Sequence, residues 1–204
     1  MPKHAAPKAS DATRDKILHA AFVEFYKNGF QGGSLNQIVE TAGTTKGALF
    51  HHFDGKQQLG YAVVDELIEP LLLARWLDPL ADSTDPVRDL KASFRRFVKE
   101  DIESGAWLQG CPLNNLAQEM SPLDEGFHTR IDRLYTIWRK GIATALSSGI
   151  EAGTVREDIS AKAVAAMIVA GQMGIWGTGK SSQSKAVMTQ ATDAFCDYLE
   201  SLRS

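Results

Sequence analysis

Two cysteines in 204 residues, Cys111 and Cys196, are too few and too far apart for a disulfide framework. Neither sits in a C-x-x-C or comparable metal spacing, so both read as reduced thiols at rest and no metal site is expected. Long apolar runs are also missing. The longest, Ala163 to Gly171, is followed by Gln172 and falls short of the roughly 18 residues a membrane span needs. The opening MPKHAAPKAS carries charge but no apolar core, so it reads as a mobile arm over 1–10 and the chain as cytoplasmic, without a membrane partner. Prolines number only 7, and charged residues make up 23% of the chain, which excludes fibrous and disordered classes. No nucleophile–base pair, metal constellation or glycine-rich phosphate loop is present, so neither catalytic residues nor a cofactor are expected.

An excess of basic charge is absent too, since the net charge is −3. Its distribution matters more than its sum. Residues 1–56 hold seven Lys/Arg against five Asp/Glu, whereas 57–204 hold fifteen against twenty, and four of the five histidines lie in the first segment. A mildly basic head precedes an acidic body.

What is present is helical periodicity, and no strand-type alternation bounded by hairpin turns interrupts it. The expected fold is all-α with nine helices. The first, about 11–28, carries Ile17, Leu18, Ala21, Phe22, Phe25 and Tyr26 on one face and ends at Asn28-Gly29. Ser34 caps a short second helix through Thr41, Ala42-Gly43 turns the chain, and Thr44 or Thr45 caps a third to His52. A long helix starts near Lys56, is disturbed at Pro70 and ends near Leu77. Asp85-Pro86 opens a helix to about Ser104, Cys111-Pro112 another, and Ser121-Pro122 one to about Gly149. Ser160 caps the next, to about Gly177, and the last covers 184–202. The division this implies is an arm at 1–10, a head of three short helices at 11–55, and a helical body at 56–204.

The second helix, its glycine turn and the third helix make a helix-turn-helix, whose second helix is short enough to enter a major groove. TTKGALFHHF, Thr44 to Phe53, offers hydroxyls, a lysine and histidines, with Gly47 letting the backbone approach phosphate. A zinc site on His51 and His52 is improbable, because neighbouring helical residues point about 100° apart.

At this point the chain resembles the TetR family. TRDKILHAAFVEFYKNGF and SLNQIVETAGTTKGALFHHFDGKQQL follow its N-terminal pattern almost position for position across 13–59. The resemblance implies a transcriptional repressor, released from a palindromic double-stranded DNA operator by a small-molecule effector or by thiol modification. DNA contacts are then expected from Ser34, Thr44, Thr45, Lys46, Gly47, Phe50 and His51, and from Lys56 at the next helix start, with Leu49 and Phe53 in the core. Phe50 stands where the family usually has tyrosine, and Gly55 where it commonly has serine. The competing reading is a helical ligand carrier or enzyme that keeps the head without regulating anything.

Past residue 59 the resemblance thins, but GCPLNNLAQEMSPLDEGF, Gly110 to Phe127, is similar to the LmrA/YxaF-like and NemR-like subgroup. In the NemR-like members a cysteine here detects electrophiles, assisted by a lysine on the penultimate helix, which makes Cys111 and Lys180 the matching candidates. A helix start would lower the Cys111 thiol's pKa; the alternative is a small packing residue. A second possibility is an apolar effector pocket drawn from Trp76, Phe94, Phe97, Trp107, Met120, Phe127, Tyr135, Trp138, Met167, Met173 and Trp176. Cys196 reads as core or dimer contact. The small residues of the last two helices imply, by the same resemblance, a homodimer built on a four-helix bundle, with half-sites roughly 34–36 Å apart.

Overall fold

The computed structural model describes residues 9–204, with side chains from Asp11 onward. The arm expected at 1–10 lies outside the described residues, except that Ala9 and Ser10 open the first helix. Among the described residues there is no strand, only an isolated bridge between Val155 and Arg203. The α-helical segments are α1 (Ala9–Asn28), α2 (Leu35–Thr41), α3 (Lys46–His52), α4 (Lys56–Val63), α5 (Glu69–Leu72), α6 (Pro86–Ser104), α7 (Pro112–Met120), α8 (Glu125–Glu151), α9 (Ala161–Ser182) and α10 (Lys185–Glu200). A π-helical stretch, Val64–Ile68, joins α4 to α5, and a second, Leu73–Leu77, continues α5, so 56–77 is one rod and the described residues hold nine helices.

The rod does not stop at Pro70. Proline has no N–H to donate and its ring crowds the preceding turn; a wider π turn just before it accommodates both. Most caps fall where side-chain chemistry puts them. Ser34, Thr45, Asp85 and Ser160 each accept from a backbone N–H three residues on. The exception is Ser121-Pro122, which does not open a helix. The amides of Leu123 and Asp124 donate to Met120 O, closing α7 instead. Asp124 then caps α8 by accepting from Phe127 N at 2.8 Å. Nor does α9 end at Gly177; it runs to Ser182 and terminates at Gln183 in the left-handed region.

Contacts group the chain into two compact units, one reaching Ile68 and including Asn115–Arg130, the other comprising Glu69–Asn114 and Ile131–Ser204. The first unit thus extends past residue 56 and takes in a segment far away in sequence. Its core is Ile17, Ala21, Ile38, Leu49 and Leu59, all fully buried, with Phe25 and Phe53. Phe127 enters this core rather than a sensing pocket: its ring meets Phe30 at 4.7 Å and Tyr61 at 5.0 Å, both edge to face. Gly60 makes room for it, since a Cβ there would stand 2.6 Å from both Phe127 Cζ and Phe30 Cε2.

Polar links reinforce the same packing. Glu119 accepts from Phe30 N and Gln31 N, both at 2.8 Å, satisfying two amides of the α1–α2 connection. Tyr61 donates its hydroxyl to Asp124 at 2.7 Å, and Gln57 also bonds that carboxylate. These partners hold the Asp124 carboxyl below its ordinary range, the Tyr61 bond foremost. Arg14 grips Glu66 with two bonds at 2.6 and 2.7 Å, tying α1 to the rod.

In the second unit, Trp76 is the hub of an aromatic cluster, with ring centroids 4.9 Å from Phe94, 5.2 Å from Phe97, 5.4 Å from Trp138 and 5.8 Å from Trp176. Asp101, almost wholly buried, takes a bond from Trp176 Nε1 at 2.7 Å and an ion pair from Arg75 at 3.1 Å.

Gly60→Ala should destabilise the protein by about 1–3 kcal/mol through overpacking against two aromatic rings. Gly47→Ala, at a helical position whose Cβ would make only an ordinary contact, 3.8 Å from Thr45 Oγ1, should instead be neutral or stabilising by up to about 1 kcal/mol. Urea midpoints of the two variants measure the contrast.

Candidate DNA-binding site

The α2–turn–α3 segment is short, and its conformation is set by local chemistry. Ile38 and Leu49 pin the two helices to α1 with no exposure at all. Gly43 turns the chain at φ +61°, and its amide closes onto Glu40 O. Gly55, where a serine is common, sits at φ +110° between α3 and α4, a conformation that accounts for glycine at this position.

With Leu49 and Phe53 inward as expected, α3 turns the opposite face to solvent. Thr45, Lys46, Gly47, Phe50 and His51 are exposed, as is Ser34, while Thr44 and Lys56 are half-buried. The Thr45 hydroxyl accepts from Ala48 N at 3.2 Å and that of Ser34 from Gln37 N at 3.4 Å. Capping uses an oxygen lone pair and leaves each O–H free to donate to a phosphate. Lys56 is committed differently: its ammonium donates to Gln31 O at 2.9 Å and lies 5.1 Å from the Phe30 ring centre. Two of its three N–H bonds remain to donate.

Phe50, 52% exposed, is the largest apolar group on this face. It cannot donate to phosphate as a tyrosine would, but an apolar ring suits a sugar or a thymine methyl. His51 and His52 pack edge to face at 5.1 Å, with His52 turned partly inward. Nothing about Gly47 is required by packing, because a Cβ there would make only an ordinary contact, 3.8 Å from Thr45 Oγ1. Its bareness leaves backbone open on the exposed face.

A rigid three-helix head with a short, polar, exposed second helix of a helix-turn-helix matches the family profile described as "Bacterial regulatory proteins, tetR family" over residues 17–63. A second profile, "Tetracyclin repressor-like, C-terminal domain", matches 85–195. The chain belongs to the TetR family of DNA-binding transcriptional regulators.

Relatives agree in kind. An uncharacterized HTH-type transcriptional regulator in the lacX 3' region of Lactococcus lactis subsp. lactis is 31% identical over 136 residues, covering 67% of this chain and 69% of its own. The HTH-type transcriptional repressor DhaR of Mycobacterium sp. (strain GP1) is 26% identical over 168 residues, 81% of each chain. Among solved structures, reduced E. coli NemR shares the fold with TM-score 0.79 at 20% identity, covering 94% of this chain and 97% of its own. As a TetR-family protein the chain is a regulator and not an enzyme, and among the described residues no helix is long and apolar enough to cross a membrane.

The residues expected to sense an effector are divided between the two units. Met120 and Phe127 belong to the first unit, and Phe127 is consumed by core packing. In the second unit Trp107, Trp138 and Trp176 are buried, Met173 is half-buried and Met167 is 51% exposed. Lys180 is exposed in the last turn of α9. Cys111 is half-buried and does receive the Leu113 and Asn114 amides, as a helix start provides. Burial nevertheless outweighs them, together with the Gln172 amide and the Arg75 charge, and pushes the thiol up rather than down. Cys196 is fully buried, and its thiol is likewise raised by burial.

Residue types alone did not single out Glu119, Asp124, Gln172 or Arg75, whose partners lie far away in sequence. Gly47→Ala should fold with unchanged or slightly raised stability yet bind operator DNA at least tenfold more weakly, measured by fluorescence anisotropy beside a thermal melt.

Proposed function

We propose that the protein is a dimeric repressor that holds a near-palindromic operator through Ser34, Thr44, Thr45, Lys46, Gly47, Phe50, His51 and Lys56, and releases it when a small molecule occupies the second unit. The observation that carries the DNA half is the exposed face of α3, polar around Phe50, held over a core that is fully buried at Ile38 and Leu49. Lys46 is the point charge for a phosphate, while hydroxyl O–H groups and bare backbone at Gly47 fix register.

Dimerisation is supported by α9. Ala163, Ala166, Met167, Ala170 and Gly174 are exposed along one side of this helix with no polar side chain among them, and Gly174 and Gly177 have open space where a Cβ would stand. A second copy of the same helix could approach closely there. Two heads related by a two-fold axis would meet half-sites roughly one turn of DNA apart.

Release is a two-state matter: an effector that lowers operator affinity tenfold needs to favour the released form by about 1.4 kcal/mol. The helix α7 suits the transmission. It carries Asn114 in its first turn and Glu119 in its last, roughly 7.5 Å apart along its axis, and Glu119 satisfies the amides of Phe30 and Gln31 at the start of the reading motif. A shift of α7 would therefore be felt where α2 begins. Between the two sensing chemistries, the raised Cys111 thiol favours a non-covalent ligand, because the thiolate is the reactive form.

In anisotropy titrations against DNA upstream of its own gene, Lys46→Ala should weaken binding and lower the slope of log affinity against log salt by about 0.9 per subunit; indifference of the intact protein to that DNA and to other candidate operators would return the reading to a ligand carrier. Ala170→Glu should convert the dimer to a monomer in sedimentation velocity and lose cooperative operator binding. A dimer that survives it would place the interface elsewhere.

A further inference from the structure

Among the described residues, five buried polar side-chain atoms have no hydrogen-bond partner: Arg75 Nε, Asn114 Oδ1, Tyr135 OH, Trp138 Nε1 and Gln172 Oε1. Five in a chain of this length is an ordinary number. Their placement is not ordinary, because all five belong to the second unit and four of them lie on residues that act on one thiol, that of Cys111. The Asn114 amide donates to Cys111, the Gln172 side chain bonds its thiol, and Arg75 and Tyr135 lie within electrostatic reach of it. Trp138 completes the set, its ring parallel to Tyr135 within 10° at a centroid distance of 6.4 Å. Four elements contribute: the rod at Arg75, α7, α8 and α9. Trp138 and Gln172 are 1% and 2% exposed, so bulk water does not reach them.

A buried donor or acceptor left unmade destabilises a fold, and net stability is a small difference that such groups erode. A packed core with no other task would have apolar residues at these positions.

We infer that these five groups form a binding site for a small, uncharged, aromatic molecule bearing both a hydrogen-bond acceptor and a donor. The inference rests on the reading of the second unit as the sensing one. Arg75 Nε and Trp138 Nε1 can only donate, so the ligand presents an oxygen or nitrogen acceptor to them; Asn114 Oδ1 and Gln172 Oε1 accept, so it presents an O–H or N–H on another edge. Tyr135 OH serves either side. The charge of the ligand follows from Asp101, whose carboxylate already pairs with Arg75 at 3.1 Å. An anion would bring an uncompensated charge into a buried site, which costs several kcal/mol. The parallel faces of Tyr135 and Trp138 form a flat platform, which selects a planar ring over a flexible chain.

All four tryptophans lie in the second unit, so quenching of intrinsic fluorescence reports this site without DNA present, and the inference can fail or stand independently of the operator. The probe is 4-hydroxybenzamide, neutral with donors and acceptors at both ends of a ring. It should quench saturably in the full-length protein, and at least tenfold more weakly in Tyr135→Phe and in Gln172→Leu. The anionic probe 4-hydroxybenzoate, of nearly the same outline, should bind at least tenfold more weakly than the amide. Without ligand, Tyr135→Phe should melt at the same or a higher temperature, since it removes an unmade group. No saturable quenching by the amide, equal binding by Tyr135→Phe, or preference for the benzoate would each overturn the inference. So would a lower melting temperature for ligand-free Tyr135→Phe, which would mark the hydroxyl as a structural group bonded to buried water.

Discussion

The Phe127 ring, set between Phe30 and Tyr61 above the bare backbone of Gly60, is the contact on which the head depends. It brings a segment some sixty residues away in sequence into the DNA-binding unit, and Asp124 and Glu119 follow it there to satisfy Tyr61, Gln57 and two loop amides. An isolated helix-turn-helix of this length buries little apolar surface. The segment 115–130 supplies what three short helices lack, and the surface of α3 is left free of structural duty. Lys46, Gly47, Phe50 and His51 are exposed there and carry no part of the core.

The same arrangement explains why the division between the units falls inside helices and not in loops. The rod is divided after Ile68, α7 before Asn115 and α8 after Arg130. The π turn Val64–Ile68 ends at the division in the rod.

Much of this was legible in the residues. Caps at Ser34, Thr45, Asp85 and Ser160, the inward faces of α1 and α6, and the short reading helix all follow from local rules that operate within four residues. The nine-helix count follows from the same signals. What could not be read is what depends on distant partners. Ser121-Pro122 carries the chemistry of a helix start, but Met120 O captures the next amides and Asp124 takes over the cap. Phe127 looks like any other aromatic at helical spacing until Phe30 and Gly60 are beside it. Lys56, expected at phosphate, spends one proton on Gln31 O, a partner 25 residues away. The sensing residues were the least legible, because the groups that distinguish a pocket from a core are unmet hydrogen bonds, and a sequence does not record which bonds are made.

Cys111 shows how competing magnitudes decide such a case. A helix start stabilises a negative charge by about 0.3–1 kcal/mol at an exposed site, and here the Leu113 and Asn114 amides, a glutamine amide and an arginine act in the same sense. Desolvation of an anion opposes them and is larger, so the thiol is pushed above its ordinary range. Nearby, the Arg75 charge is matched by Asp101 at 3.1 Å, and Trp176 donates to Asp101 in turn. A region with one charge already matched, a thiol raised by burial and five unmade polar bonds has no use for another ion. It is tuned to a neutral guest, which would make the hydrogen bonds the protein leaves unmade there.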